Sequence, residues 1–154
     1  MQHELIDVLI VEDENELAQL HAELIGKHPR LRLVGIAASL ADAQVQLESK
    51  QPKLMLLDNY LPDGKGITLI SNPMLTRANC SVIFITAASD MDTCSQAIRN
   101  GAFDYILKPI EPDALYACVK RCVEKVETTL VPSSAMPLSP SNAVSSASSG
   151  MVIG

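Results

Sequence analysis

The feature that most constrains this chain is a series of short, unbroken apolar runs separated by stretches of helical periodicity. Val8-Leu9-Ile10-Val11, Leu54-Met55-Leu56-Leu57, Val82-Ile83-Phe84-Ile85 and Tyr105-Ile106-Leu107 contain no charged residue. A strand apolar on both sides must be covered on both sides, the condition of a parallel sheet sandwiched by helices. Leu31-Arg32-Leu33-Val34-Gly35-Ile36 alternates more, as an edge strand does. Between the runs, apolar residues recur at helical spacing: Leu17, Leu20, Leu24 and Ile25, then Leu40, Ala43 and Leu47, then Cys94, Ala97 and Ile98, then Leu115, Val119, Cys122 and Val126. Ser39-Leu40-Ala41-Asp42 and Ser89-Asp90-Met91-Asp92 read as capping patterns, and Pro112 suits a first helical turn. A further helix is expected from near Ile67, interrupted at Asn72-Pro73. The alternation predicts an α/β domain: a flavodoxin-like, five-stranded parallel sheet in order 2-1-3-4-5 with helices on both faces.

Composition sets the domain limits and removes several function classes. From Thr128 to Gly154 no residue is charged, and Ser, Pro, Ala and Gly dominate. Such a stretch buries too little apolar surface to offset its chain entropy, so residues 1–127 read as the domain and 128–154 as a linker or disordered tail. The charge of −6, from 12 Lys+Arg and 18 Asp+Glu, lies wholly in the domain. That balance argues against a direct grip on nucleic acid, which needs clustered basic residues. No apolar run approaches the roughly 20 residues of a membrane span. The start Met1-Gln2-His3-Glu4 lacks a basic signal-peptide region, so a cytoplasmic protein without membrane contact is expected. Cys80, Cys94, Cys118 and Cys122 read as packed, reduced thiols, and His21 and His28 as solvated or half-buried residues on or beside the first helix.

In a parallel doubly wound sheet, chemistry collects beyond the carboxyl ends of the strands. The first run leads into Glu12-Asp13, the third strand into Asp58, the fourth into Thr86 and the fifth into Lys108-Pro109. Crowded carboxylates repel one another unless a cation sits among them. Hard oxygen ligands on short loops suit Mg²⁺. One carboxylate can then act as a nucleophile toward phosphorus, with a Lys neutralising the transferring group and Thr86 donating to a phosphoryl oxygen. Asp58 is the candidate nucleophile, since it ends a wholly apolar strand and precedes Asn59-Tyr60-Leu61-Pro62-Asp63-Gly64, a tight loop whose carbonyls can face a metal.

These residues carry a resemblance. Val11-Glu12-Asp13-Glu14, Leu56-Leu57-Asp58, Pro62-Asp63-Gly64, Thr86-Ala87 and Lys108-Pro109 resemble the receiver domains of bacterial two-component response regulators over about residues 7–127. Leu57 to Gly64 and Thr86 to Met91 are similar to the citrate- and C4-dicarboxylate-responsive regulators. The resemblance implies that Asp58 accepts a phosphoryl group from a sensor histidine kinase. It also implies that Glu12, Asp13, Asp58 and the Tyr60 backbone carbonyl hold Mg²⁺, that Lys108 pairs with the phosphoryl group and that Thr86 moves toward it. Tyr105 would be the aromatic switch, Pro109 would follow a cis bond, and a homodimer would form through the fourth helix, fifth strand and fifth helix. DNA would be reached only through an output domain absent from this chain. Glu12 stands where many members have Asp and keeps the charge. A flavin-binding flavodoxin would share the fold, but Glu12-Asp13-Glu14 would repel the flavin's phosphate. An aspartate-nucleophile phosphatase would want a second Asp where Tyr60 stands.

Overall fold

The computed structural model describes residues 5–130. Five strands form one parallel sheet: β1 (Ile6–Val11), β2 (Leu31–Ala37), β3 (Leu54–Asp58), β4 (Ser81–Ala87) and β5 (Asp104–Lys108), in spatial order β2-β1-β3-β4-β5. Helices α1 (Asn15–Gly26), α2 (Leu40–Lys50), α3 (Pro73–Ala78), α4 (Met91–Arg99) and α5 (Pro112–Leu130) follow the strands in turn. The flavodoxin-like order expected from the apolar runs is the one observed. In the central strand β3, every residue from Leu54 to Asp58 is buried. Each fully buried Leu there contributes about 1.5–3 kcal/mol of transfer free energy. Phe84, Leu57, Met55 and Leu9 meet in the main core cluster beside Leu47 of α2 and Leu69.

Local signals account for most boundaries. Ser39 Oγ accepts the Asp42 amide at 3.1 Å and caps α2, and Pro112 opens α5. The expected third helix is shorter than the pattern suggested. Gly66–Leu69 form a single 3₁₀ turn, and α3 begins only at Pro73, with Asn72 Oδ1 accepting the Met74 amide at 2.8 Å. Proline at a first helical position loses no hydrogen bond, so Asn72-Pro73 starts a helix rather than interrupting one. At the start of α4 the residues Ala88–Asp90 form a 3₁₀ turn, and no side chain caps the helix. The Ser89 capping pattern is therefore not realised. In α1 the buried stripe is Ala18, His21, Leu24 and Ile25, while Leu20 is exposed. His21 is thus a core residue, not a solvated or half-buried one.

No disulfide links the cysteines, of which Cys94, Cys118 and Cys122 are buried. The compact unit ends at Glu124, and α5 runs on to Leu130, three residues beyond the expected boundary at 127. The rest of the expected tail, 131–154, lies outside the described residues. Among the described residues, no helix is long and apolar enough to cross a membrane.

Candidate functional site

The carboxyl rim of the sheet brings the strand-end residues together. β1 delivers Glu12 and Asp13, and β3 ends on Asp58, because β1 and β3 pair in parallel with Val11 opposite Leu57. One carboxylate oxygen from each of Glu12, Asp13 and Asp58 lies within 4.8 Å of the others. Glu12 and Asp58 are buried and Asp13 is exposed, so the cluster opens to solvent on one side. From β5 comes Lys108, whose Nζ lies 2.8 Å from Asp58 Oδ1 as an ion pair and 4.0 Å from Glu12 Oε1. The peptide bond from Lys108 to Pro109 is cis.

The electrostatics follow from three acids and one base in a half-closed rim. Burial raises the Glu12 carboxyl to about 7; the Glu14 amide, donating to Glu12 Oε2 at 3.1 Å, opposes this, and repulsion from Asp58 adds to it. For Lys108, burial alone would depress the ammonium, but the Asp58 contact and the Glu12 charge outweigh it, so its pKa is raised. His21 is held below its ordinary value by burial and by the Lys108 charge, with Asp58 opposing. A single ammonium cannot neutralise three carboxylates, which leaves room for a cation. At this rim the buried atoms Glu12 Oε1 and Thr86 Oγ1 have no hydrogen-bond partner among the described residues, and Asp58 Oδ1 has only the Lys108 ion pair. An all-oxygen set of two buried acids and one open acid fits a hard divalent ion that retains water.

Thr86 stands one residue beyond Ile85, the partner of Asp58 in the β3–β4 register, and is buried. Tyr105 pairs in register with Phe84 and packs half-buried against the core. Tyr60, two residues past Asp58, has an exposed side chain whose hydroxyl donates to Asp90 Oδ2 at 2.6 Å. Sequence reasoning missed the residues that fix the loop after β3. Asn59 is buried, its Oδ1 accepts the Ile67 amide at 3.1 Å, and its carbonyl accepts the Gly66 amide at 2.7 Å. The Asp63 carboxylate accepts the amides of Leu40 and Ala41 at 2.8 and 3.0 Å, tying this loop to the N-terminus of α2. The Pro62-Asp63-Gly64 string was the available signal for that tie.

Fold and rim together define a doubly wound α/β domain with a candidate cation centre beside an Asp–Lys ion pair. A family model described as the response regulator receiver domain matches residues 8–120, and the chain belongs to that family. It is 47% identical over 110 residues to the transcriptional regulatory protein DpiA of Escherichia coli K12, covering 71% of this chain and 49% of that protein. To the transcriptional regulatory protein CitB of Klebsiella pneumoniae it is 46% identical over 116 residues, covering 75% and 50%. The chain therefore spans about half the length of the curated relatives it matches. Among solved structures, a signal receiver domain from Vibrio parahaemolyticus superposes with a TM-score of 0.73 at 28% identity, over 83% of this chain and 98% of that one. The resemblance to citrate-type regulators is supported by these relatives. The chain is a signalling domain rather than a conventional enzyme.

Proposed function

We propose that this domain accepts a phosphoryl group on Asp58 from the phosphohistidine of a sensor histidine kinase, and that Glu12, Asp13, Asp58 and the Tyr60 carbonyl hold Mg²⁺ for that transfer. The observation that carries the reading is the Lys108 ammonium 2.8 Å from Asp58 Oδ1 inside a cluster of three carboxylates. An Asp58 oxygen attacks phosphorus, the phosphorus–nitrogen bond breaks, and the imidazole leaves with the electron pair. Lys108 holds its charge against the oxygens of the transferring group, and Thr86, with its hydroxyl unpartnered, donates to one of them once its loop shifts. When bound, Mg²⁺ supplies charge neutralisation for the other phosphoryl oxygens. Tyr60 and Ala88 flank the approach of water and neither is an effective general base, so the phosphorylated state is expected to hydrolyse slowly.

The same reading makes Tyr105 the aromatic switch and α4, β5 and α5 the face that changes, through which a homodimer would form. The Asp104–Arg121 ion pair lies on that face. Control of transcription would run through a DNA-binding output domain outside this chain, in the cytoplasm, with residues 1–127 as the receiver and 128–154 as the linker. Incubation with acetyl phosphate and Mg²⁺ should add one phosphoryl group, detected by intact-mass spectrometry. Asp58→Ala should add none, and chelation should abolish labelling of the wild type. Equal labelling of the variant would reject Asp58 as the acceptor.

A further inference from the structure

Asp90 occupies the flanking position at the start of α4, where an Asp ordinarily accepts an amide of the first helical turn. It makes no such bond, and among the described residues no side chain caps α4, which follows directly on the 3₁₀ turn Ala88–Asp90. Its Oδ2 instead accepts the Tyr60 hydroxyl at 2.6 Å, a contact between residues thirty positions apart. Hydroxyl-to-carboxylate bonds of that length are the charge-assisted kind. The tyrosine is itself held: its backbone pairs with Lys65 in a two-residue hairpin, Leu61 beside it is buried, and Lys65 Nζ lies 5.9 Å from the ring centroid. The ring therefore bridges from the loop after β3 to the turn after β4, across the two strand ends that carry Asp58 and Thr86.

We propose that Tyr60 and Asp90 form a latch that holds the turn after β4 in its unphosphorylated position, with the Asp90 carboxylate exchanging between the Tyr60 hydroxyl and the uncapped start of α4. In the ligand-free fold the carboxylate that accepts the Tyr60 hydroxyl makes no bond to an amide of α4, so latch and cap are alternatives set by the position of the turn. When Thr86 moves toward a phosphoryl group, Ala88–Asp90 move with it, the latch opens, and Asp90 becomes the cap that α4 lacks. Latch opening and ligand binding at Asp58 then share one equilibrium, so each favours the other by the same factor. This rests on the phosphoacceptor reading above and names two positioning residues for its switch.

The test uses the full 154-residue chain. Tyr60→Phe removes only the hydroxyl and keeps the ring and the backbone carbonyl. Without any ligand, amide hydrogen exchange at Asp92 and Thr93 should slow in Tyr60→Phe, because Asp90 is released to cap. Beryllofluoride with Mg²⁺ should bind that variant roughly three- to fivefold more tightly than wild type, the scale of one modest exposed hydrogen bond. Asp90→Ala should gain less affinity than Tyr60→Phe and show no slowed exchange, since it loses the latch of one state and the cap of the other. Unchanged exchange or unchanged beryllofluoride affinity in Tyr60→Phe overturns the latch. A wild type that binds no beryllofluoride would overturn the phosphoacceptor reading instead, and the ligand-free exchange would still judge the latch.

Discussion

Glu12 carries a charge that this fold disfavours. Its carboxyl is pushed up to about 7 from the ordinary 4.5, first because it is buried and further because Asp58 faces it. A group whose pKa is raised in the folded state contributes stability that is complete below the unfolded value and lost as pH rises through the folded one. Here that window runs from 4.5 to about 7. His21 and His28, both lowered by burial, act in the opposite sense: the unfolded chain binds their protons more readily, so stability rises with pH up to the ordinary 6.5. Comparison with Glu12→Gln separates these contributions, since both histidines are common to the two proteins. In the absence of divalent ions, the melting temperature of the wild type should fall relative to Glu12→Gln between about pH 4.5 and about pH 7. On the proposed reading Mg²⁺ should remove the fall, because it would bind the ionised carboxylate. Parallel pH profiles for the two proteins would show that Glu12 carries no such strain.

At the scale of elements, the loop after β3 shows what sequence patterns convey and what they hide. The acids and the lysine were legible because each follows an unbroken apolar run, and a parallel sheet delivers such residues to one rim. Gly66 was not legible, because its requirement is a distance: a Cβ there would lie 2.1 Å from the Asp58 carbonyl oxygen and 3.0 Å from Leu57 Cδ1. His21 was misread because the buried stripe of α1 keeps Leu24 and Ile25 but continues through Ala18 and His21, while Leu20 faces out. The edge strand β2 was recognised by its alternation, but not the way its edge is covered. Lys50 Nζ donates to the Val34 carbonyl at 2.6 Å and Gln46 Nε2 to the Ile36 carbonyl at 3.2 Å, so α2 satisfies backbone groups that would otherwise invite another strand. For the loop, Gly66→Ala should push the Asp58 backbone aside. Overpacking of this kind costs about 1–3 kcal/mol, so chemical denaturation should show that loss together with a slower rate of acetyl phosphate labelling. Wild-type stability and rate would mean that the loop yields without moving Asp58.

Across the whole molecule, the question is how a change at Asp58 reaches α4, β5 and α5. The path available is short, because β4 carries both Thr86 at the rim and Phe84, which pairs with Tyr105 of β5. Thr86 Oγ1 has no partner among the described residues and is buried, so it contributes no hydrogen bond to the ligand-free fold. Thr86→Ala removes a buried hydroxyl that makes no bond, which relieves a desolvation cost, and a buried methyl, whose loss costs about 1 kcal/mol; the two offset, so stability should change by about 1 kcal/mol or less. That near-neutrality makes the variant a clean probe of coupling. On the proposed reading, a phosphoryl group or its mimic on Asp58 would give the wild type a hydroxyl contact that draws the turn after β4 inward and vacates space for the Tyr105 ring. Thr86→Ala should still accept phosphate, because Asp58, Lys108 and the acidic pair are untouched, but the displacement has lost its differential contact. Beryllofluoride should then shift the NMR resonances near Asp58 in both proteins, and those of Tyr105 and α4 in the wild type alone. The same Tyr105 and α4 shifts in both would place the coupling elsewhere than at Thr86.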